Sequence, residues 1–238
     1  MRKKGAIRRE LAAEFIGTAF LLAAVVGSGI TAQRLCGGNV GLELLANSIA
    51  TGGALMALIW TFGPVSGAHF NPVVTMAMAA AGETPRASIL PYVAAQCAGA
   101  VFGVWAAHAM FDVPILQIST HARTGIGQWT GEFIATFGLI AVIESGRRHF
   151  AAALPAAIAL YIVAAYWFTS STSFANPAVT LARSLTDSFS GIAPGNIAGF
   201  IAAQIAGAIV AIVAMRWLNA EPVIAAVARA NLSLRERA

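Results

Sequence analysis

The chain has little charge. Only 11% of its 238 residues are Asp, Glu, Lys or Arg, whereas charged residues make up about a quarter of a typical soluble domain. Hydrophobic residues make up 58% of the chain and occur in long runs. A run of about 20 apolar residues is long enough to cross the hydrocarbon core of a bilayer. The composition excludes an ordinary soluble globular protein and predicts an integral membrane protein.

Cysteine and grouped metal ligands are also scarce. The only two cysteines, Cys36 and Cys97, are too few for a disulfide framework and lack the spacing of a metal site. The His, Cys, Asp and Glu residues form no pattern of a nucleophile beside a base, and none of a ligand set. We therefore expect no metal, no cofactor and no enzymatic activity.

Six apolar segments divide the chain, and they are separated by short polar or glycine-rich stretches. They cover residues 11–31, 43–62, 88–111, 129–146, 151–169 and 195–218. The net charge of +5 could suggest nucleic acid, but the cations lie at the chain ends and in loops, without a basic face laced with aromatics. We therefore expect no nucleic-acid partner, and we interpret the positive charge as flanking charge that orients a membrane protein.

With six spans, both termini lie on the same side of the membrane. That side would carry twelve of the fifteen cations: Arg2, Lys3, Lys4, Arg8, Arg9, Arg86, Arg147, Arg148, Arg216, Arg229, Arg235 and Arg237. Cytoplasmic loops carry the excess of Lys and Arg. The sequence therefore predicts cytoplasmic termini, in the cell (inner) membrane.

One short phrase occurs twice. Residues 71–75 read Asn-Pro-Val-Val-Thr, and residues 176–180 read Asn-Pro-Ala-Val-Thr. Asn caps free N–H groups at a helix start, and Pro suits the first helical position because it has no N–H. The helices that follow, within 71–81 and 169–186, are too short to span a bilayer. This pattern predicts two re-entrant half-helices that meet near the membrane midplane.

An internal repeat divides the chain into halves. Residues 13–18 match 131–136, and residues 94–100 match 202–208. Each half has three spans, an odd number, so the second copy is inverted relative to the first. The predicted fold class is an all-α membrane protein of six transmembrane helices plus two half-helices in an inverted 3+3 repeat. We expect a single channel domain over 1–218, comprising repeat one 8–111, connector 112–127 and repeat two 128–218, followed by a cytoplasmic tail 219–238.

At Ser-Gly-Ala-His-Phe-Asn-Pro-Val-Val-Thr, residues 66–75, the sequence resembles the major intrinsic protein family, the aquaporins and aquaglyceroporins. The second Asn-Pro phrase and the two Glu-Phe-Ile starts resemble it too, and the similarity runs from Leu11 to Leu218. The resemblance implies a right-handed six-helix bundle with one pore per subunit, usually a homotetramer in membrane lipid. Val73 departs from the pattern, since the family usually has Ala there.

The pore centre is expected where the half-helices meet. Each helix N-terminus contributes a partial charge of about +0.5, which repels cations. The expected motif residues are Asn71, Pro72, Val73, Asn176, Pro177 and Ala178. Carbonyl groups of the preceding loops provide a line of acceptors, from Gly67, Ala68, His69, Thr172 and Phe174. Such a wall replaces the hydration of a neutral solute but not that of an ion. The pattern predicts a passive channel for small neutral solutes that excludes ions and protons.

The resemblance also implies a selectivity filter. Its four positions here are Thr51, Ala164, Ser173 and Val179. Val179 stands where the family usually has Arg, so a wide, uncharged filter is expected that passes glycerol-like polyols, urea and neutral metalloid hydroxides such as arsenous acid (arsenite), and water. Arg183 follows one turn later on the same face. It either folds back toward the mouth or reaches the surface or vestibule, and we favour the second.

Two acids, Glu14 and Glu132, lie inside apolar segments at equivalent repeat positions. An intramembrane carboxylate is a functional-site candidate, and these two could serve a proton-coupled secondary transporter. They could instead accept hydrogen bonds from re-entrant loop N–H groups that no helix satisfies. Their symmetric placement, one for each loop, favours the structural role. A third alternative is a structural membrane protein with a closed pore.

Overall fold

Eight α-helices make up most of the computed structural model, which describes residues 4–219, with side chains from Ile7 onward. Six helices are long and apolar enough to cross a membrane. They are α1 (Lys4–Leu35), α2 (Val40–Ser66), α4 (Ile89–Met110), α5 (Ile126–His149), α6 (Leu154–Phe168) and α8 (Ile197–Leu218). Two short helices, α3 (Pro72–Ala80) and α7 (Pro177–Arg183), follow the two Asn-Pro phrases. The described chain contains no β-strand. The predicted fold class is confirmed.

The helix ends differ from the predicted spans by a few residues, and α2 shows why. The predicted span stops at residue 62, before Gly63-Pro64, yet the helix continues through Pro64 to Ser66. A proline in the last turn removes only one backbone hydrogen bond, so it does not stop the helix. Gly67 does stop it. Its φ of +87° is the left-handed conformation that glycine adopts easily, and its N–H donates to the Gly63 carbonyl.

Two tight helix pairs, α1 with α4 and α5 with α8, form the equivalent halves of the bundle. At Gly99 of α4, a Cβ atom would press into the Phe15 carbonyl oxygen of α1. At Gly207 of α8, it would press into the Phe133 carbonyl oxygen of α5. Both glycines lie in the repeated segments. Small residues let membrane helices approach backbone to backbone. The repeated segments therefore produce the same close helix packing in both halves.

Because successive long helices alternate in direction, the bundle has two ends. We call the end with Lys4 and Leu218 the near side, and the end with residues 36–39, 111–125 and 184–196 the far side. The loop before α3 returns from the near side to the centre, and the loop before α7 returns from the far side. The connector is tied to the far-side loops, since Ser119 N–H donates to the Ser184 carbonyl over 2.9 Å. The predicted tail, 219–238, lies outside the described residues except for Asn219.

Candidate functional site

The two Asn-Pro phrases meet at the centre of the bundle. Both asparagines are extended N-cap residues: the Asn71 side chain accepts from Val73 N–H at 3.0 Å, and that of Asn176 accepts from Ala178 N–H at 3.0 Å. Each amide nitrogen also crosses to the other loop. Asn71 Nδ2 donates to the Ala175 carbonyl, and Asn176 Nδ2 to the Phe70 carbonyl, both over 2.8 Å. The two half-helix N-termini are therefore fixed face to face.

A buried carboxylate supports the near-side loop. The Glu14 side chain is inaccessible to solvent and accepts hydrogen bonds from His69 N–H (3.0 Å) and Phe70 N–H (2.7 Å). Ser66 Oγ and Gln96 Nε2 also donate to it, over 2.6 and 2.8 Å. Every bond is donated by the loop or by the helices around it, which fits the structural role favoured from the sequence.

The far-side loop has the same support. Glu132, also inaccessible, accepts from Phe174 N–H at 2.8 Å and Ala175 N–H at 2.9 Å, and Gln204 donates to it. Gln204 Nε2 also donates to Thr180 Oγ1 of α7 over 2.8 Å. The glutamines were within the repeat seen in the sequence, but their role as links between acid and half-helix was not predicted.

The loops are held in conformations that side chains normally avoid. Five non-glycine loop residues have positive φ between 48° and 61°: Ala68, Phe70, Thr172, Ser173 and Ala175. Each such residue costs about 1–2 kcal/mol, so the loops need the external support that the carboxylates provide. Irregular backbone at membrane depth occurs where it is buried in protein or lines a cavity.

A narrow cavity that opens to solvent passes this centre. One wall is apolar and comes from α1, α2, α5 and α6: Leu21, Val25, Leu55, Ile59, Leu139, Ile143, Ile158 and Ile162. The other wall is formed by the two loops and half-helices, with both asparagines and His69 exposed to the cavity. His69 Nδ1 lies 3.1 Å from Thr75 Oγ1, which fixes the ring at the wall.

The structure places half of the predicted site residues on this cavity. Those that line it are Thr51, Ala68, His69, Asn71, Ser173, Phe174, Asn176, Val179 and Arg183. Gly67, Thr172 and the motif residues Pro72, Val73, Pro177 and Ala178 do not line it. Val73, the departure from the family pattern, is fully buried behind the wall, which explains why the larger side chain leaves the cavity open.

The prediction for Ala164 is wrong. Ala164 lies on the exposed face of α6, whereas Ile162 and Tyr166 line the cavity. Residues four apart share a helix face and residues two apart do not, so Ala164 lies on a different face from Ile162 and Tyr166. Tyr166 is only 4% exposed, and its hydroxyl lies 3.3 Å from Thr51 Oγ1.

Arg183 does not reach the surface, which corrects that part of the expectation for its position. The side chain is only 1% exposed and lines the cavity. Its Nε donates to the Ser190 carbonyl, and its guanidinium carbon lies 3.4 Å from the centre of the Phe174 ring. The cavity wall therefore contains an arginine, one turn beyond Val179.

A second arginine, not predicted from the sequence, lies behind the same ring. The Arg123 guanidinium carbon is 5.2 Å from the centre of Phe174, and its nitrogens donate to the carbonyls of Gly191 (2.7 Å) and Phe189 (3.1 Å). Arg123 does not line the cavity. Burial lowers the pKa of this guanidinium below its usual value, and the field of Glu132 opposes that shift.

Asp187 anchors the connector on the far-side surface. Thr120 donates to its Oδ1 from N–H (2.8 Å) and from Oγ1 (2.9 Å). These bonds lower the pKa of the Asp187 carboxyl. Among the described residues, no group of three or more His, Cys, Asp or Glu is placed to hold a metal ion.

Six apolar helices around a cavity whose centre is made of two half-helix N-termini define a membrane channel. Residues 1–169 match the family described as "Major intrinsic protein". The chain is 51% identical over 220 residues to "Aquaglyceroporin AqpS" of Rhizobium meliloti, covering 92% of this chain and 94% of that protein. It is 41% identical over 93 residues to "Aquaporin Z" of Bradyrhizobium diazoefficiens, covering 39% of this chain and 38% of the relative.

A solved structure has the same fold. The X-ray structure of the aquaglyceroporin from Plasmodium falciparum superposes with a TM-score of 0.66 at 21% identity, over 87% of this chain and 94% of that one. The chain belongs to the major intrinsic protein family. This is a family of channels for small neutral solutes rather than of enzymes, and its members are integral multi-pass membrane proteins, as six membrane-spanning helices require.

Proposed function

We propose that the chain is a passive channel for glycerol-like polyols, neutral metalloid hydroxides such as arsenous acid, and water. The observation that carries this proposal is the cavity that passes both Asn71 and Asn176 with an apolar wall opposite them. A small solute with hydroxyl groups on one side and carbon on the other matches such a cavity, since each wall replaces a different part of its hydration.

Exclusion of ions and protons follows from the same centre. Two half-helix N-termini face each other, and their partial positive charges repel a cation that has lost its water. Both asparagine side chains use their oxygen as the helix cap, so they present donors and no acceptor to the cavity. A water molecule at this point accepts from the asparagines and cannot pass a proton onward along an unbroken chain of hydrogen bonds.

The side chains on the far-side half of the cavity support the proposal that solutes larger than water pass through it. Thr51, Ser173 and Val179, all proposed to form the selectivity filter, are small and line the cavity. The likeness to a relative named an aquaglyceroporin, over nearly its whole length, supports polyols. Arsenous acid is compact, uncharged at neutral pH and carries several hydroxyls, so it meets the same requirements as a small polyol.

The alternative of a proton-coupled secondary transporter rests on Glu14 and Glu132. The structure gives it little support, because loop N–H groups and glutamine side chains already donate to both carboxylates. A coupled transporter predicts uphill accumulation that is driven by a pH gradient and lost in Glu→Gln variants. A channel predicts downhill flux alone.

The test is a flux panel in proteoliposomes with water, glycerol, urea and arsenous acid, comparing the wild type with Val179→Arg. We expect wild-type flux of every solute above that of protein-free liposomes, unaffected by a pH gradient. Because Val179 lines the cavity, the arginine should reduce flux of the larger solutes more than that of water. Absence of any wild-type flux would contradict the proposed function. Unchanged flux of larger solutes in Val179→Arg would show that Val179 does not lie at the constriction.

We further propose that the protein assembles as a homotetramer in the cell (inner) membrane with both termini in the cytoplasm. Large apolar side chains are exposed around the bundle, including Phe20, Leu160 and Val213. Such a surface needs lipid or another subunit to cover it. Native mass spectrometry from detergent micelles distinguishes the tetramer from a monomer whose whole perimeter faces lipid.

A further inference from the structure

We propose that a pocket on the far-side surface, which we call the side pocket, binds a small zwitterion. Such a molecule carries a carboxylate or phosphate group at one end and an ammonium group at the other. The side pocket lies between the end of α1, the connector and the loop after α7. Its polar lining residues are Gln33, Arg34, Gln117, Thr186, Asp187 and Ser188. No described residue lines both this pocket and the central cavity, so the site is separate from the channel.

Two opposite charges line the side pocket without neutralising each other. Arg34 and Asp187 form no ion pair, either together or with another residue of the described chain. An ion with a single charge would compensate only one of them. A zwitterion that reaches from one to the other compensates both, and such electrostatic complementarity gives specificity in binding.

The arginine is held in a fixed orientation. Arg34 Nη2 donates to the Phe111 carbonyl over 2.7 Å, and the guanidinium carbon lies 5.3 Å from the centre of the Phe111 ring. Its Nε and Nη1 have no hydrogen-bond partner in the described chain. The planar guanidinium binds carboxylate and phosphate groups through paired hydrogen bonds. Arg34 therefore provides the anion-binding end of the side pocket.

The carboxylate is held in the same way. Asp187 Oδ1 accepts both bonds from Thr120, and the Asp187 N–H donates to Gln117 Oε1 over 2.9 Å. The bonds from Thr120 lower the pKa of this carboxyl, so it is ionised at neutral pH. Its Oδ2 has no partner in the part of the chain that the structure describes. Asp187 therefore provides the end that accepts hydrogen bonds from an ammonium group.

A buried hydroxyl adds hydrogen-bonding capacity to the same pocket. Ser188 is 5% exposed, and its Oγ lies 3.0 Å from Thr186 Oγ1. A hydroxyl has one donor and two acceptor sites, and this is the only bond that the Ser188 side chain makes with the described residues. Ile30 and Val113 supply the apolar part of the lining. The volume of about 300 Å³ lies at the lower end of the range for ligand pockets, which suits a molecule of amino-acid size.

Two sources supply this chemistry. One is a free solute, such as an amino acid. The other is the headgroup of phosphatidylethanolamine, which joins a phosphate to an ammonium group. The exposed side chains of Leu35 and Leu116, next in the chain to two lining residues, offer apolar surface for lipid chains.

The experiment measures the thermal unfolding midpoint of the full-length protein in detergent against ligand concentration. A ligand that binds only the folded state raises the midpoint as its site fills, which gives an apparent Kd. The probes are β-alanine and phosphoethanolamine, which carry both charges, and propionate and ethanolamine, which carry one each. We expect the Kd of a zwitterion to be about tenfold lower than that of either singly charged molecule.

Substitutions at the two charges provide the second readout. Arg34→Gln and Asp187→Asn should each raise the Kd of the zwitterion about tenfold, because each removes one charge-assisted interaction. Arg216→Gln is the matched control. Arg216 is also exposed and also donates to a backbone carbonyl, that of Ala80, but it lies on the near side. Its substitution should leave the Kd at the wild-type value.

Native mass spectrometry distinguishes the two sources. Retention of phosphatidylethanolamine in preference to phosphatidylglycerol, lost in Asp187→Asn, would assign the site to the lipid headgroup, since phosphatidylglycerol lacks the ammonium group. The inference is overturned if no soluble probe shifts the midpoint and no such lipid preference exists. Equal binding of zwitterions and singly charged molecules would also overturn it, as would equal weakening in Arg34→Gln and Arg216→Gln. If Asp187→Asn does not fold, Arg34→Gln decides the question. Solute flux enters none of these measurements, so failure of the proposed channel function would be seen separately.

Discussion

At the scale of single residues, the two buried glutamates hold the loops in place. Glu132→Gln replaces one acceptor oxygen by an NH₂ group that faces the N–H group of either Phe174 or Ala175. Losing charge-assisted bonds in a buried network costs about 3 kcal/mol. We expect a lower thermal unfolding midpoint in detergent, with the protein that remains folded still conducting downhill without a pH gradient.

The control for this substitution is Glu83→Gln. The Glu83 side chain is 52% exposed and pairs with Arg147 on the near side, where an ion pair contributes little. We expect its unfolding midpoint to stay close to that of the wild type. A Glu132→Gln protein of normal stability that has lost solute flux would contradict the structural role and favour the coupled transporter.

We propose that the asparagines at the centre control which charges can enter the pore. In Asn71→Asp, the carboxylate still caps α3 but no longer donates to the Ala175 carbonyl. A negative charge at the pore centre offsets the helix dipoles that repel cations. We expect a proton leak while glycerol flux persists. The leak is measured after an acid jump with a pH-sensitive dye inside the proteoliposomes. Asn39→Asp makes the same change at the N-cap of α2 on the surface, and a leak there would show that the charge acts non-specifically.

At the scale of helices, the close pairs depend on glycine. Gly99→Ala places a methyl group against the Phe15 carbonyl oxygen of α1, and the helices must separate to admit it. Overpacking of this kind costs about 1–3 kcal/mol. We expect earlier thermal aggregation, read from the loss of the monodisperse peak in size-exclusion chromatography. Gly53→Ala in α2 meets no atom within 4 Å and should be neutral or slightly stabilising. Equal losses in the two variants would refute the packing explanation.

The helices were predictable from the sequence, whereas the cavity wall was predictable only in part. Long apolar runs and the Asn-Pro caps determine where helices occur, so six spans and two half-helices could be placed. The direction in which a single side chain points could not be predicted from such patterns. Which residue of α6 lines the cavity depends on the face that this helix turns inward, and the position of Arg183 depends on the Ser190 carbonyl and the Phe174 ring, which the fold brings to it. Long-range contacts of this kind leave no periodic pattern.

At the scale of the whole molecule, the repeat is symmetric at its centre and asymmetric toward its mouths. Each half contributes one asparagine, one glutamate and one glutamine to the same network. The half-helix position equivalent to Arg183 in the first repeat is Met78, which is buried in the core and does not line the cavity. The two halves therefore match at the centre, where we propose that ions are excluded, and differ toward the far-side mouth, where Arg183 lines the cavity.

The orientation of the bundle can be tested with a native cysteine. Cys36 lies in the far-side turn between α1 and α2 and is partly exposed, whereas Cys97 lies within α4. Cytoplasmic termini, which the distribution of Lys and Arg predicts, place Cys36 outside the membrane. We expect a membrane-impermeant maleimide to label intact cells, or spheroplasts if an outer membrane is present, and Cys36→Ser to abolish that label. Because a thiol at hydrocarbon depth is shielded from a polar reagent, Cys97 should contribute none. Labelling that requires permeabilised membranes would reverse the predicted orientation, and the loop containing Arg183 would then open toward the cytoplasm.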